Sequence, residues 1–335
     1  MNHHHILSTN QFSGPELLAF FQQTKVLLEK SPQELSALTQ NPDEKRPMAA
    51  PLAVAAAFYE NSTRTRMSFI QAAQQAGLPV LDLNVATSSV QKGETVLDTI
   101  ETLAALGAGT IVLRHSQDGL HSEIARYLDA EWPQVRLINA GEGITHHPTQ
   151  ALSDAYTLWN CQQGRNNEGP YGFTGKRILI VGDSRKSRVA RSTTTVFKTL
   201  GATVSLCGPV EWLPNMEDPV FVGCQRHTVL NDALNGVDAI ITLRVQTERG
   251  SGVTDAWIAA YQLTPERLQK TKKAPDAPPA WVLHPGPVNW GVELHPQFRM
   301  GQQYKGDLNP TQTVLIRQQV AHGVAVRQVL LHGAQ

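Results

Sequence analysis

The sequence predicts an α/β protein of two domains, each a mostly parallel sheet flanked by helices, closed by a C-terminal helix that packs back on the body. Three observations carry this. Short apolar runs of strand length recur along the chain with amphipathic stretches between them, the alternation that sets parallel strands side by side under helices. The chain has 335 residues, beyond the size at which one hydrophobic core stops growing, so two domains of roughly 150 residues each are expected. Hydrophobic residues make up 41% and charged residues 17%, which supplies two cores and excludes a disordered or collagen-like chain.

The N-terminus MNHHHILSTNQ lacks a basic stretch followed by an apolar run, and no window approaches the ~18 apolar residues of a membrane span. Neither export nor membrane insertion is expected, and His3 to His5 sit at an end expected to be loose, without a metal role. The first strand is LAVAAAFY (52–59), and MSFIQAAQQAG (67–77) is a helix. GTIVLRH (109–115) and RLINAG (136–141) are the next strands, followed by a helix over TQALSDAYTLWN (149–160). A polar, Gly-rich stretch over 162–175 suits a boundary, so the domains are expected at 1–150 and 151–309.

RILIVGD (177–183), TVSLCG (203–208), AIITLR (239–244) and WVLHPG (281–286) read as the strands of the second domain. In the closing segment (310–333), Val314, Leu315, Val320, Val324 and Val329 recur at helical spacing despite Gly323. No internal repeat or low-complexity tract interrupts the pattern.

Lys plus Arg equals Asp plus Glu at 29 each, so no overall field recruits nucleic acid or an anionic membrane, and any anion site must be built locally. Cys161, Cys207 and Cys224 have neither the paired spacing of a zinc site nor an even count for disulfides, which fits a reducing cytoplasm.

Ligand sites of this fold class lie at the carboxyl ends of strands. Ser62-Thr63-Arg64-Thr65-Arg66 stands in that position, after the first strand and at the start of its helix. A helix N-terminus offers unpaired N–H groups and a positive dipole end, and hydroxyls and guanidinium groups are added here, which describes a phosphate cradle. The plainer alternative is an N-cap followed by solvated arginines. A nucleotide-binding turn at VGDSRKSRVARS (181–192) is the weaker reading, because the G-x-G-x-x-G spacing is missing.

FYENSTRTRMSF resembles the carbamoyl-phosphate loop of the aspartate and ornithine carbamoyltransferases. Further segments resemble that family's motifs in its order: SSVQKGETVLDTIETL (88–103), VLRHSQDG (112–119), INAGEG with HHPTQALSD (138–154), VGDSRKSRVARS, LRVQTER (243–249), LHPGPVNWGVE (283–293) and GVAVRQVLL (323–331). Arg244-Val245-Gln246-Thr247-Glu248-Arg249 and His284-Pro285-Gly286-Pro287 match the aspartate branch, and the H-C-L-P loop of the ornithine branch is absent. Charge logic agrees, since a dicarboxylate needs cationic partners and arginine binds carboxylates bidentately.

The resemblance implies transfer of a carbamoyl group from carbamoyl phosphate to L-aspartate, an early step of pyrimidine biosynthesis, without metal or cofactor. It implies a carbamoyl-phosphate domain at 1–150, on which the C-terminal helix packs back, and an aspartate domain at 151–309. Ser62, Thr63, Arg64 and Thr65 are implied on the phosphate, with Arg114 bridging phosphate and carbonyl oxygen. His147 and Gln150 resemble the residues that hold the carbonyl oxygen and amide nitrogen, although a lone histidine is more often structural. Arg188 resembles the α-carboxylate ligand, Arg244 and Gln246 those of the β-carboxylate, and Gly286 and Pro287 would act through a backbone carbonyl.

Ser88 and Lys92 read by themselves as solvated surface. In the family their loop reaches into a neighbouring subunit's site, where the resemblance puts Ser88 and Lys92 on carbamoyl phosphate and Lys92 on aspartate as well, which implies a homo-oligomer, a trimer or a multiple of trimers, with shared sites. A regulatory chain or a dihydroorotase is a further possible partner. Catalysis falls to Arg64, Thr65, Lys92, Arg114 and His147, which stabilise charge as two closing domains position the reactants. Glu60, Arg249 and Arg327 look like supporting ion-pair partners, or ordinary surface salt bridges.

Three positions depart from the family pattern: Ile70 replaces Glu, Glu142 replaces Asp, and Trp290 replaces Arg. The competing readings are a carbamoyltransferase for another amino acid and an inactive scaffold partnering dihydroorotase.

Overall fold

The computed structural model describes residues 3–29, 52–85, 93–162, 172–245, 253–300 and 313–332. It divides into two compact units, Met1–Thr149 with Val320–Gln335, and Gln150–Gln319.

The first unit carries α1 (Gly14–Glu29), β1 (Ala53–Phe58), α2 (Thr63–Gln75), β2 (Val80–Leu83), α3 (Val96–Ala105), β3 (Ala108–His115), α4 (Leu120–Glu131) and β4 (Arg136–Glu142). Its strands are all parallel in the order β2-β1-β3-β4. Parallel neighbours require a crossover, and each crossover here contains a helix. Every residue of β1 is buried, as the uninterrupted AVAAAF run of a strand covered on both faces requires. Ile111 and Leu113 of β3, Ile100 and Leu103 of α3, Ile124 and Leu128 of α4 and Leu137 of β4 close one side of the core.

The second unit contains β5 (Arg177–Val181), α6 (Arg188–Thr199), β6 (Thr203–Cys207), β7 (Gln225–His227), α7 (Leu230–Ala233), β8 (Ala239–Thr242), α8 (Asp255–Tyr261), α9 (Pro265–Gln269), β9 (Trp281–Leu283) and α10 (Gln297–Met300). The order is β7-β6-β5-β8-β9, again all parallel. The division between the units falls within the first turn of α5 (Pro148–Cys161) and within α11 (Ile316–His332).

Seven strands coincide with the apolar runs of the sequence. The two that do not, β2 and β7, are both edge strands. An edge strand has one open flank and needs no continuous apolar run; β2 holds the exposed Asp82, and β7 reads Gln-Arg-His.

The closing helix differs from its predicted apolar pattern. Val314 and Leu315 precede it: Val314 forms a parallel bridge with Val282 of β9, and the Leu315 N–H donates to the Val282 carbonyl at 2.9 Å. Val320 is 48% exposed, and the buried apolar residues of the helix are Ile316, Ala325, Val326, Leu330 and Leu331. The helix does pack back on the first unit. Buried Arg136, which opens β4, donates to the carbonyls of Leu330, His4 and His3, tying both ends of the chain to the sheet. The Arg327 guanidinium lies over the Phe69 ring of α2 at 5.3 Å.

Candidate active site

In the first sheet β2 lies on one flank of β1 and β3 on the other, so the connections leave in opposite directions and a crevice opens at the carboxyl ends of β1 and β3. β1 ends at Phe58 and α2 begins at Thr63. Ser62 is the N-cap residue, with extended backbone at φ −158, but its hydroxyl makes no capping bond. Capping therefore accounts for its place and not for its hydroxyl. The first turn of α2 contains no carboxylate to neutralise its N–H groups, Thr65 is buried, and Arg64 is half-buried.

Arg66 is engaged elsewhere: its Nε and Nη2 grip both oxygens of Asp82 at 2.8 Å each.

Arg114 stands in register with Phe58 near the end of β3, and the Tyr59 N–H donates to its carbonyl at 2.9 Å. Its Nε lies 3.3 Å from Glu60 Oε2, and its Nη1 donates to the Ala140 carbonyl at 3.4 Å. Glu60 thus pairs within the first unit, with the predicted arginine of β3's end. The loops after β3 and β4 are joined by Asp118, whose Oδ1 accepts from the Ile144 N–H at 3.0 Å and the Thr145 hydroxyl at 2.9 Å. Gly143, at φ +46, allows this approach, since a Cβ there would lie 1.8 Å from Asp118 Oδ1.

Glu142 is buried, and its side chain points into the unit. Its Oε1 accepts from the His121 N–H at 3.2 Å and lies 3.4 Å from His121 Nδ1, while its Oε2 accepts from Asn139 Nδ2 at 3.1 Å. Burial would raise its pKa, but the His121 side chain and N–H hold the carboxyl below the usual carboxylate range. The longer side chain at this position is accommodated by internal donors. His147 is buried and immediately precedes Pro148, the first residue of α5.

In the second sheet the corresponding crevice lies at the carboxyl ends of β5 and β8. Gly182 follows β5 at φ +123, and a Cβ there would meet the Leu243 side chain at 3.0 Å, which keeps the two strand ends close. Asp183 Oδ1 accepts the Lys186 N–H at 3.0 Å, and burial pushes this carboxyl above its usual range. Ser187 caps α6 by accepting the Ala190 N–H at 3.1 Å, which makes half-buried Arg188 the first helical residue. One turn on, Arg191 grips Asp218 with both terminal nitrogens. Arg244 lies just past β8 and is likewise half-buried.

The loop after β9 is held to the same end of the sheet. Asn289 Nδ2 donates to the Val245 carbonyl at 2.8 Å, and the Asn289 N–H donates to Glu293 Oε1 at 2.8 Å. His284 Nδ1 accepts the Gly286 N–H at 2.7 Å, so the ring proton sits on Nε2 and points at Glu293 Oε1, 3.0 Å away. Gly286, at φ +72, precedes a cis bond to exposed Pro287. Trp290 is partly buried and packs against the apolar core of this unit.

Ser62 to Thr65 and Arg114 therefore gather at the first crevice, and Arg188, Arg244, Gly286 and Pro287 at strand ends of the second sheet. Ser88, Lys92, Gln246 and Arg249 lie outside the described residues. Gln150, in the first turn of α5, donates through Nε2 to Asp154 Oδ1 at 2.7 Å. Asp154, Gln319, Asn289 and Glu293 were not singled out by sequence. Only Asp154 carried a local signal, its i,i+4 spacing from Gln150.

Among the described residues the one His/Asp group with metal-ligand spacing is His4, His5 and Asp129. His5 Nδ1 accepts the Leu137 N–H at 2.9 Å, which puts the proton on Nε2 and makes it a donor to Asp129 rather than a ligand. No helix among the described residues is long and apolar enough to cross a membrane.

Two family profiles match the chain. Residues 4–160 match the carbamoyl-P binding domain of aspartate/ornithine carbamoyltransferase, and residues 174–305 match its Asp/Orn binding domain. The aspartate carbamoyltransferase catalytic subunit of Thermosynechococcus vestitus is 39% identical over 334 residues, covering 98% of this chain and 93% of that relative. The Stenotrophomonas maltophilia K279a protein of the same name is 40% identical over 310 residues, covering 91% and 90%. Among solved structures, Trypanosoma cruzi aspartate transcarbamoylase in complex with carbamoyl aspartate and phosphate shares the fold at TM-score 0.75 and 23% identity, covering 98% and 94%. The catalytic subunit of M. jannaschii aspartate transcarbamoylase gives TM-score 0.72 at 26% identity, covering 98% and 97%.

Proposed function

This chain belongs to the aspartate/ornithine carbamoyltransferase family, and we propose that its first unit holds carbamoyl phosphate while the second holds L-aspartate. The chain is a carbamoyltransferase enzyme: carbamoyl phosphate and L-aspartate give N-carbamoyl-L-aspartate and phosphate, a step of pyrimidine biosynthesis. The observation that carries the assignment of substrates is the carboxylate-free first turn of α2, entered from β1 at the switch crevice with Arg114 beside it.

In this reading Ser62, Thr63, Arg64 and Thr65 bind the phosphate through hydroxyls, guanidinium and N–H groups. Arg114, kept in place by Glu60, bridges phosphate and carbonyl oxygen. His147 donates to that oxygen, and Gln150 takes the amide nitrogen. Arg188 holds the α-carboxylate of aspartate, Arg244 and Gln246 the β-carboxylate, and a backbone carbonyl at Gly286 or Pro287 receives an amine hydrogen.

The neutral amine attacks the carbonyl carbon. The carbonyl electron pair moves to oxygen, and a tetrahedral oxyanion forms against Thr65, Arg114 and His147. When the carbonyl reforms, the bond to the phosphate oxygen breaks, and phosphate leaves with the electron pair and takes up the proton that the amine loses. Fixed donors aimed at developing charge accomplish this without a nucleophilic side chain. Inorganic phosphate should compete with carbamoyl phosphate and not with aspartate; competition against aspartate alone would contradict the assignment.

The proposed assembly is a homotrimer in the cytoplasm, with Ser88 and Lys92 of one copy completing the site of the next. Mixing inactive Lys92→Ala and Arg64→Ala chains should restore activity through wild-type sites at interfaces. No recovery after verified subunit exchange would count against shared sites.

A further inference from the structure

We propose that Asp154 is a positioning residue for carbamoyl recognition: it fixes which end of the Gln150 amide faces substrate and, through Gln319, holds the loop that carries Gly286 and Pro287. This rests on the role given to Gln150 above. Asp154 is fully buried on α5, and its Oδ1 accepts from Gln150 Nε2 at 2.7 Å and from Gln319 Nε2 at 2.7 Å. Gln319, 5% exposed, turns its Oε1 to the His284 N–H at 2.9 Å. The His284 ring then takes the Gly286 N–H on one nitrogen and reaches Glu293 with the other. Asp154, Gln319, His284 and Gly286 thus form one hydrogen-bonded chain inside the second unit.

The chemistry follows from what each group can do. A primary amide has a donating end and an accepting end of nearly the same shape, and a free glutamine turns either way. A carboxylate only accepts, so the NH2 end of Gln150 is drawn to Asp154 and the carbonyl oxygen is left for another partner. The carbamoyl group is set apart from other acyl groups by an NH2, which needs an acceptor. Asp154 therefore converts an ambiguous amide into a fixed acceptor. The same oxygen orients Gln319, whose remaining end can then only accept, and an N–H of the β9 loop is what it accepts. The Gln150–Asp154 pair also has the i,i+4 spacing of an ordinary helix-stabilising bond, and a stabilising bond alone predicts nothing about ligand choice.

Asp154→Asn separates the two roles, because asparagine keeps the shape but can offer either end to Gln150. With one oriented hydrogen bond lost, KM for carbamoyl phosphate should rise about 10-fold, whereas the competitive inhibition constant of inorganic phosphate, which has no amide, should stay within about twofold. Equal weakening of both ligands, or no change in either, overturns the proposal. Should Asp154→Asn not fold, Gln319→Met carries the test. That variant keeps the Gln150 bond but releases the His284 N–H, so KM for aspartate should rise about fivefold while the carbamoyl phosphate to phosphate ratio holds. An unchanged aspartate KM overturns the link to the loop. Failure of the underlying reading is distinguishable, since the unmodified chain would then form no carbamoyl aspartate.

Discussion

The two crevices are built on the same principle and differ in how the chain supplies them. At the first, four consecutive residues, Ser62 to Thr65, arrive together because strand and helix are joined by four residues, and the helix itself provides N–H groups and dipole. At the second, Arg188, Arg244 and the Gly286–Pro287 loop come from three separate strand ends and are braced by Ser187, Asn289, Glu293 and His284. Phosphate, with three equivalent oxygens, suits a compact cradle of backbone and short hydroxyls. An amino dicarboxylate has charges spaced along a carbon chain, and its ligands must be spread to match.

The largest expected effect tests the compact crevice. Arg64→Ala should lower kcat/KM for carbamoyl phosphate by at least about 10³-fold with the fold intact by circular dichroism, the scale of losing a charged donor to the departing phosphate, on which negative charge develops. A near-normal rate would break the phosphate assignment. Next is Arg244→Ala, which should raise KM for aspartate by about 10- to 100-fold, the worth of hydrogen bonds between charged groups, and leave KM for carbamoyl phosphate within about threefold. Equal effects on both substrates would remove the contrast.

Two changes should touch the stability of the first unit without touching either substrate. Arg136→Met strips three carbonyls of their donor and should cost about 2–3 kcal/mol in urea unfolding, with both KM values retained. A shift in KM without a stability loss would reassign this arginine. The smallest effect concerns His322 of α11, whose pKa burial lowers from 6.5 to about 4. The folded chain keeps this ring neutral, so between those values only the unfolded chain takes up the proton. Stability from this group is therefore complete above about pH 6.5 and is lost as pH falls toward 4. His322→Gln should flatten that part of the acid limb; an unaltered limb would assign it to other groups.

The contrast also explains what could be read from sequence. β1, β3 and β5 are legible because central parallel strands must be apolar throughout, and the Ser62–Arg66 turn because its residues are contiguous. β2 was not legible, because its four residues are no more than half-buried and include the exposed Asp82, and with it the Arg66–Asp82 pair, which withdraws one of the two arginines from the phosphate reading. The apolar spacing across Val314 to Val329 ran past the true helix start, since a short β-bridge to Val282 obeys burial without obeying helical period. Gln319 and Asp154 lie 165 residues apart, and no local pattern announces a hydrogen bond that only the fold creates.

The central claim is most directly tested by supplying the purified chain with carbamoyl phosphate and, separately, aspartate, ornithine and other amino acids, and identifying the carbamoylated product. N-carbamoyl-L-aspartate formed with aspartate and no product with ornithine is the expected result. Product from another amine in preference to aspartate would keep the phosphate crevice and contradict the roles of Arg188 and Arg244, and no product at all would contradict the account as a whole.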